Sequence, residues 1–247
     1  MIDNNLLNNF CSFTVDTLSQ KSLFTNRQDR KFVFSSELLN QVLEICSQEY
    51  RILEIDGIRN FKYKTTYYDT VSLDMYHDHH RGKKNRCKIR ERQYLDSQIG
   101  FYEIKIKNNK GLTVKYRIKN NQSTAFNDLI SLHTRFSFKE LKQIFHLDYY
   151  RITLLHKVKN EKVTIDNSLN YSMQDRIVPF NNFVFAEVKT NNGHDISFCE
   201  KMKNMGIVRG SLSKYCLGIL CYYPGIKQNN FKQSYKKFQK KSDDVYC

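Results

Sequence analysis

Charged and apolar residues alternate with period two in one segment after another of this chain, and that pattern restricts what it can fold into. In "RCKIRER", Arg86, Lys88, Arg90 and Arg92 fall on one side of an extended backbone, because strand side chains point to alternate faces. In "FYEIKIKN", Glu103, Lys105 and Lys107 oppose Ile104 and Ile106, and in "LTVKYRIK", Lys115, Arg117 and Lys119 oppose Val114, Tyr116 and Ile118. "RQDRKFV" groups Arg27, Asp29 and Lys31, and "EKVTID" groups Lys162, Thr164 and Asp166. In "FAEVKT", Glu187 and Lys189 are set across from Phe185, Ala186 and Val188.

Two architectures produce such faces. One is an antiparallel sheet with a solvated charged face and an apolar face packed on helices. The other is a barrel turned inside out, with apolar residues outward under helices and charged residues inward around a polyanion. Solvated faces normally mix signs and include Ser, Thr and Gln, whereas these are overwhelmingly cationic with isolated carboxylates. A buried cationic face needs a partner. A di- or triphosphate supplies one, since arginine binds phosphate oxygens bidentately and lysine acts as a point charge. The isolated carboxylates then suit Mg²⁺ or Mn²⁺, hard ions that prefer oxygen. A formal net charge of +15 agrees with a polyanionic partner without deciding the fold.

The chain of 247 residues is long enough for a substantial core. Residues 1–24 are polar and Asn-rich and read as a loose N-terminal segment. Residues 25–223 read as one domain, and 224–247 as a lysine-rich exposed tail. "SSELLNQVLEICSQEY" carries apolar residues at helical spacing behind Ser35 or Ser36 as N-cap. Capping-box patterns at Ser137/Glu140 and Ser197/Glu200 predict two further helices, the second stopped by Gly206. Strands are expected at "RQDRKFVF", "KYKTTYYDT", "RCKIRERQY", "IGFYEIKIK", "LTVKYRIK", "YYRITLLHK", "EKVTIDNSLNY" and "FVFAEVKT", with "KNNKG" as a hairpin turn. The seven cysteines are scattered, with no CxxC pair. No apolar run reaches the length of a membrane span, and no secretory signal is visible. A reduced, cytoplasmic protein is expected.

The ordered series "RKFVF", "YYDT", "HHRGKKNRCKIRERQY", "FYEIKIKNNKGLTVKYRI", "YYRITL", "VTIDNSL", "FAEVKT" and "SLSKYC" resembles the VTC domain. This is the polyphosphate polymerase domain of the vacuolar transporter chaperone complex and its bacterial relatives, within the CYTH-like triphosphate tunnel metalloenzyme superfamily. The resemblance spans about residues 27–218. It implies an α+β, β-dominated fold: an eight-stranded antiparallel closed tunnel barrel with a basic lumen and flanking helices. It implies transfer of the γ-phosphate of ATP to a growing polyphosphate chain, with Mn²⁺ or Mg²⁺ as cofactor. Matched by motif, the catalytic cations are Arg90, Arg92, Lys105, Lys115 and Arg151. Lys31 and Lys214 would bind substrate by the same match, with Lys162, Lys189 and Arg117 expected beside them. Glu187 would be the metal ligand, with Glu103 and Asp29 as further expected metal positions, although Lys162 stands where the family often has Arg. The partners are ATP and inorganic polyphosphate; no nucleic acid and no membrane span are expected.

Two other functions stay open on these residues: a triphosphatase on the same fold, with water as acceptor, and a non-catalytic polyanion-binding module. "YHDHH" (His77, Asp78, His79, His80) has the wrong spacing for a closed zinc site and reads as a polar loop before the basic strand. Tyr67, Tyr68, Tyr94 and Tyr116 read as wall or core.

Overall fold

Period-two alternation becomes strand throughout the computed structural model, which describes residues 2–17, 28–110, 112–191, 196–210 and 212–232. The strands are β1 (Ser12–Phe13), β2 (Gln28–Ser35), β3 (Tyr50–Leu53), β4 (Phe61–Thr70), β5 (Arg86–Tyr94), β6 (Ile99–Lys107), β7 (Thr113–Lys119), β8 (Leu141–His156), β9 (Glu161–Met173), β10 (Arg176–Phe180) and β11 (Phe183–Thr190). The helices are α1 (Asn4–Asn8), α2 (Leu39–Ser47), α3 (Asp74–His80), α4 (Ser123–His133), α5 (Ser197–Asn204) and α6 (Lys214–Tyr222). Arg27 and the lysine-rich stretch 233–247 lie outside the described residues.

The expected eight-stranded closed barrel is corrected in two respects. Among the described residues the sheet has eleven strands, in the order β2-β11-β9-β8-β4-β5-β6-β7, with β1, β3 and β10 paired off this path. The path has two ends among the described residues, so hydrogen bonding does not close it. The principal pairs are antiparallel, whereas β1 runs parallel to β3. The extra strands are short or lie off the path, where sequence alternation is too brief to register.

The chain divides into two compact units. Unit 1 comprises Met1–Phe61, Tyr149–Leu169 and Phe180–Ser211. Its core joins Phe32, Phe34, Val163, Ile165, Ala186 and Val188, one face of β2, β9 and β11, to Leu39, Val42, Leu43 and Cys46 of α2 and Phe198 and Met202 of α5. Glu161, 1% exposed, holds the start of α5 by accepting from the backbone N–H groups of Ser197 (3.0 Å) and Phe198 (2.9 Å) and from the Tyr50 hydroxyl. The Ser197 hydroxyl donates to Glu49 rather than capping its own helix. Gly206, at φ +68°, ends the helix as expected. Leu7 and Phe10 join this core, and Arg59 reaches the carbonyls of Leu7 (2.5 Å) and Phe10 (3.3 Å). Leu7 and Phe10 are thus buried anchors among the described residues before β2.

Unit 2 comprises Lys62–Asp148, Asn170–Pro179 and Leu212–Cys247. Here α4 packs Phe126 and Ile130 on Ile89, Ile104 and Tyr68, the apolar face of β4, β5 and β6. The Ser137/Glu140 capping box does form, with the Ser137 N–H donating to Glu140 at 2.8 Å. It yields one 3-10 turn, Phe138–Glu140, and then β8 instead of a helix. Alternating burial at Leu147 and Tyr149, with Leu141 and Ile144 before them, favours a strand over the local cap.

The "YHDHH" loop reading is also corrected, because these residues lie in α3. Its start is held by Asp69, fully buried, whose carboxylate accepts from the N–H groups of Met75 (2.9 Å) and Tyr76 (3.1 Å) and from the Tyr215 hydroxyl. Burial pushes the Asp69 carboxyl above the usual range despite these donors.

Candidate active site

Register converts the sequence pattern into two charged faces, one in each unit. On the unit 2 face, Arg90 lies opposite Glu103 across β5 and β6, and Glu103 lies opposite Arg117 across β6 and β7. Two residues along, Lys88, Lys105 and Lys115 form a row across the same strands. The apolar alternates sit on the other face, beneath α4.

Glu103 is the centre of this face. Its side chain is 2% exposed, and four cations surround it: Arg90 at 2.6 Å, Lys115 in direct contact, Arg117 at 3.7 Å and Arg92 at 4.0 Å. Burial alone would push the carboxyl up, but Arg90, Arg92 and Lys115 outweigh it and hold the group well below the usual carboxylate range. The Lys115 ammonium is drawn in toward Glu103. That desolvation, with Arg90 and Arg117 nearby, brings its pKa down to about 8 against the pull of Glu103.

One carboxylate against four cations leaves the face strongly positive, so an anion is its natural complement. Arg117 is held flat over the Phe101 ring at 3.5 Å and donates to the Tyr94 hydroxyl at 2.8 Å. Arg92 is 8% exposed and packs over Tyr63 at 5.8 Å, and its Nε is buried without a hydrogen-bond acceptor among the described residues. A buried donor of this kind is costly unless something accepts from it.

In unit 1, β11 pairs with β2 and β9 so that Lys31, Glu187 and Thr164 form one row and Asp29, Lys189 and Lys162 the next. Lys189 contacts Glu187 two residues away. On β8, Arg151 meets Asp166 of β9 with two parallel bonds, Nε–Oδ1 at 2.5 Å and Nη2–Oδ2 at 2.7 Å. Phe185, grouped by sequence with Ala186 and Val188, has the parity of Glu187 and stands opposite Asp166 on the charged face.

The structure therefore brings Arg90, Arg92, Lys115 and Arg117 together around Glu103, with Lys105 in the adjacent row. It brings Lys31, Lys162, Lys189, Glu187 and Asp29 together on a second face, beside the Arg151–Asp166 pair. Lys214 opens α6, half-buried, and its carbonyl accepts from Tyr171 at 3.0 Å. Two residues gain definition. Lys88 shares a row with Lys105 and Lys115, its ammonium 5.7 Å from the Tyr215 ring centroid. Asp166 orients Arg151, which strand parity alone could not specify. Arg86 instead donates to the Lys83 carbonyl at 2.8 Å, at the start of the strand.

The carboxylates differ as metal donors. Glu103 already accepts from Arg90 and touches Lys115, and its ring of cations opposes a further one. Glu187 is part-exposed, in contact with Lys189 and opposite Lys31 in the strand register, and can donate oxygen. Among the described residues no cluster of three or more His, Cys, Asp or Glu is placed to hold a metal. One carboxylate still fits Mg²⁺ or Mn²⁺ where substrate phosphates supply further oxygens.

Comparison with solved structures gives the class. A candidate adenylyl cyclase from Hippeastrum with a dominant triphosphatase activity matches with a TM-score of 0.50 at 12% identity, over 77% of this chain and 93% of that one. A candidate adenylate cyclase from Bacillus halodurans matches with a TM-score of 0.49 at 14% identity, over 80% of this chain and 99% of that one. The chain shares the fold of the Hippeastrum protein. Within that fold the chain belongs to the VTC domain family, whose model matches residues 26–223. No curated protein sequence matches the chain. Among the described residues no helix is long and apolar enough to cross a membrane.

Proposed function

We propose that this protein is a polyphosphate polymerase that transfers the γ-phosphate of ATP to the end of a phosphate chain. The observation that carries this reading is the convergence of Arg90, Arg92, Lys115 and Arg117 on buried Glu103, in a chain of the VTC family. Phosphoryl transfer asks a protein mainly to align the reacting oxygens and to neutralise charge on the transferred group and departing diphosphate. Arginines already fixed by Glu103, Phe101 and Tyr94 need little reorganisation to do so.

In this reading Arg90, Arg92, Lys105, Lys115 and Arg117 grip the triphosphate. Within unit 1, Lys31, Lys162, Lys189 and Arg151 are proposed as phosphate-binding cations in their own right, as is Lys214 within unit 2. Glu187, with Asp29 as a second oxygen donor, would hold a divalent metal, which when bound would supply charge neutralisation for a phosphate substrate. Glu103 acts as the anchor that keeps the cations converged. The attacking oxygen belongs to a phosphate end already ionised at neutral pH, so no general base is required.

A triphosphatase would use the same cations with water as acceptor, and the Hippeastrum protein of this fold has that activity. Incubation with ATP and Mn²⁺ separates the two: polymerase activity makes an acid-labile chain, hydrolase activity only free phosphate. Arg90→Ala is expected to abolish polymer while the protein still unfolds cooperatively. Polymer made at the wild-type rate by that variant contradicts the role of the cluster.

A further inference from the structure

A cavity of about 450 Å³ opens in unit 1 on the face of β2 opposite Lys31. Its polar lining is Arg30, Lys203, Arg209, Glu200 and Cys199, and its apolar floor includes Phe32 and Ile207. Strand parity puts Arg30 on this side, away from the row of Lys31 and Glu187. Arg30 is half-buried and its Nη1 lies 3.7 Å from the Cys199 sulfur. Cys199 and Lys203 are one turn apart on α5, hence on the same helix face. Arg209 is fixed by backbone pairing, since it bridges to Phe32 and the next N–H, of Gly210, donates to the Lys31 carbonyl at 2.9 Å.

We propose that this cavity is a second ligand site, for an organic phosphate monoester whose ring carries hydroxyl groups. Arg30, Lys203 and Arg209 come from three different segments, and with one carboxylate among them they complement a dianionic phosphate. Glu200 is placed to accept from ligand hydroxyls, and exposed Val208 offers an apolar surface to a ring. The volume falls within the range of small-molecule sites, which combine apolar walls with a few polar groups. The site is independent of the phosphoryl-transfer reading, because none of its lining residues belongs to the two charged sheet faces.

The test uses the full chain and adenosine 5′-monophosphate as probe, with adenosine and inorganic phosphate as controls. Binding is followed by calorimetry, and occupancy of the cavity by iodoacetamide labelling of Cys199 with peptide mapping. The expected result is protection of Cys199 by the nucleotide but by neither control. Exposed Lys203→Ala and Arg209→Ala should each weaken nucleotide binding by about tenfold, the size of one charged hydrogen bond. Polymer formation from ATP should not change in these two variants. Nucleotide binding that leaves Cys199 labelling unchanged would place the ligand elsewhere and overturn the proposal. So would equal protection by adenosine or inorganic phosphate, or unchanged affinity in both variants.

Discussion

Arg90 and Glu103 face each other across β5 and β6, and one Glu103 carboxylate oxygen accepts from Nε (2.7 Å) with Nη2 in ion-pair contact at 2.6 Å. Lys115 and Arg117 approach the other oxygen. A single buried anion thus sets the positions of the cations around it. Glu103→Gln removes that charge and leaves like charges crowded together. Breaking such a pair should lower stability by about 3 kcal/mol. Added tripolyphosphate should restore much of the lost melting temperature, because it supplies the missing negative charge. A melting temperature unmoved by the substitution would contradict the anchoring role.

Lys115 carries the pH dependence. Its folded pKa of about 8 lies below the ordinary lysine value of 10.5. The charged form is therefore disfavoured by folding, and its destabilising contribution is full below pH 8 and disappears as pH rises from 8 to 10.5. Phosphate affinity runs the other way, since the ammonium is lost as pH rises through about 8. Tripolyphosphate binding should weaken across that interval in the wild type, and Lys115→Arg should remove the inflection. A wild-type profile that is flat there contradicts the assignment.

Arg151 and Asp166 form a planar fork, and a lysine cannot reproduce it. Arg151→Lys and Asp166→Asn should both raise KM for ATP more than a charge-neutral view predicts, and the two effects should be less than additive in the double variant. Additive effects would mean that Asp166 does not orient Arg151.

Glu161 has a structural task. It accepts from two N–H groups at the start of α5 and from Tyr50 while almost fully buried. Glu161→Ala should cost about 3 kcal/mol or more through these unsatisfied donors. Denaturant unfolding measures it, and a loss under about 1 kcal/mol, the value of an ordinary cap, would contradict the account.

The strands were legible because period two needs only local residues, and "RCKIRER", "FYEIKIKN" and "LTVKYRIK" carry it without interruption. Which residues cluster was legible only in part. Parity placed Arg90 and Glu103 on charged faces, but their register depends on the β5/β6 pairing, which no single strand records. The helix α3 was missed because Asp69, several residues earlier, supplies its N-terminal acceptor. Tertiary packing overrode the capping box at Ser137. The α6 segment "KYCLGILCY" hides behind Gly218, a poor helix former kept where the Phe145 ring leaves no room for a Cβ.

The most direct measurement of the central claim is product analysis by gel after incubating the protein with ATP and Mn²⁺, alongside Arg90→Ala and Glu187→Gln. The wild type should yield an acid-labile phosphate ladder, and neither variant should. Free phosphate without a ladder would make the protein a triphosphatase. Tight binding of polyphosphate with no turnover of ATP would make it a polyanion-binding module, and either outcome contradicts the polymerase reading.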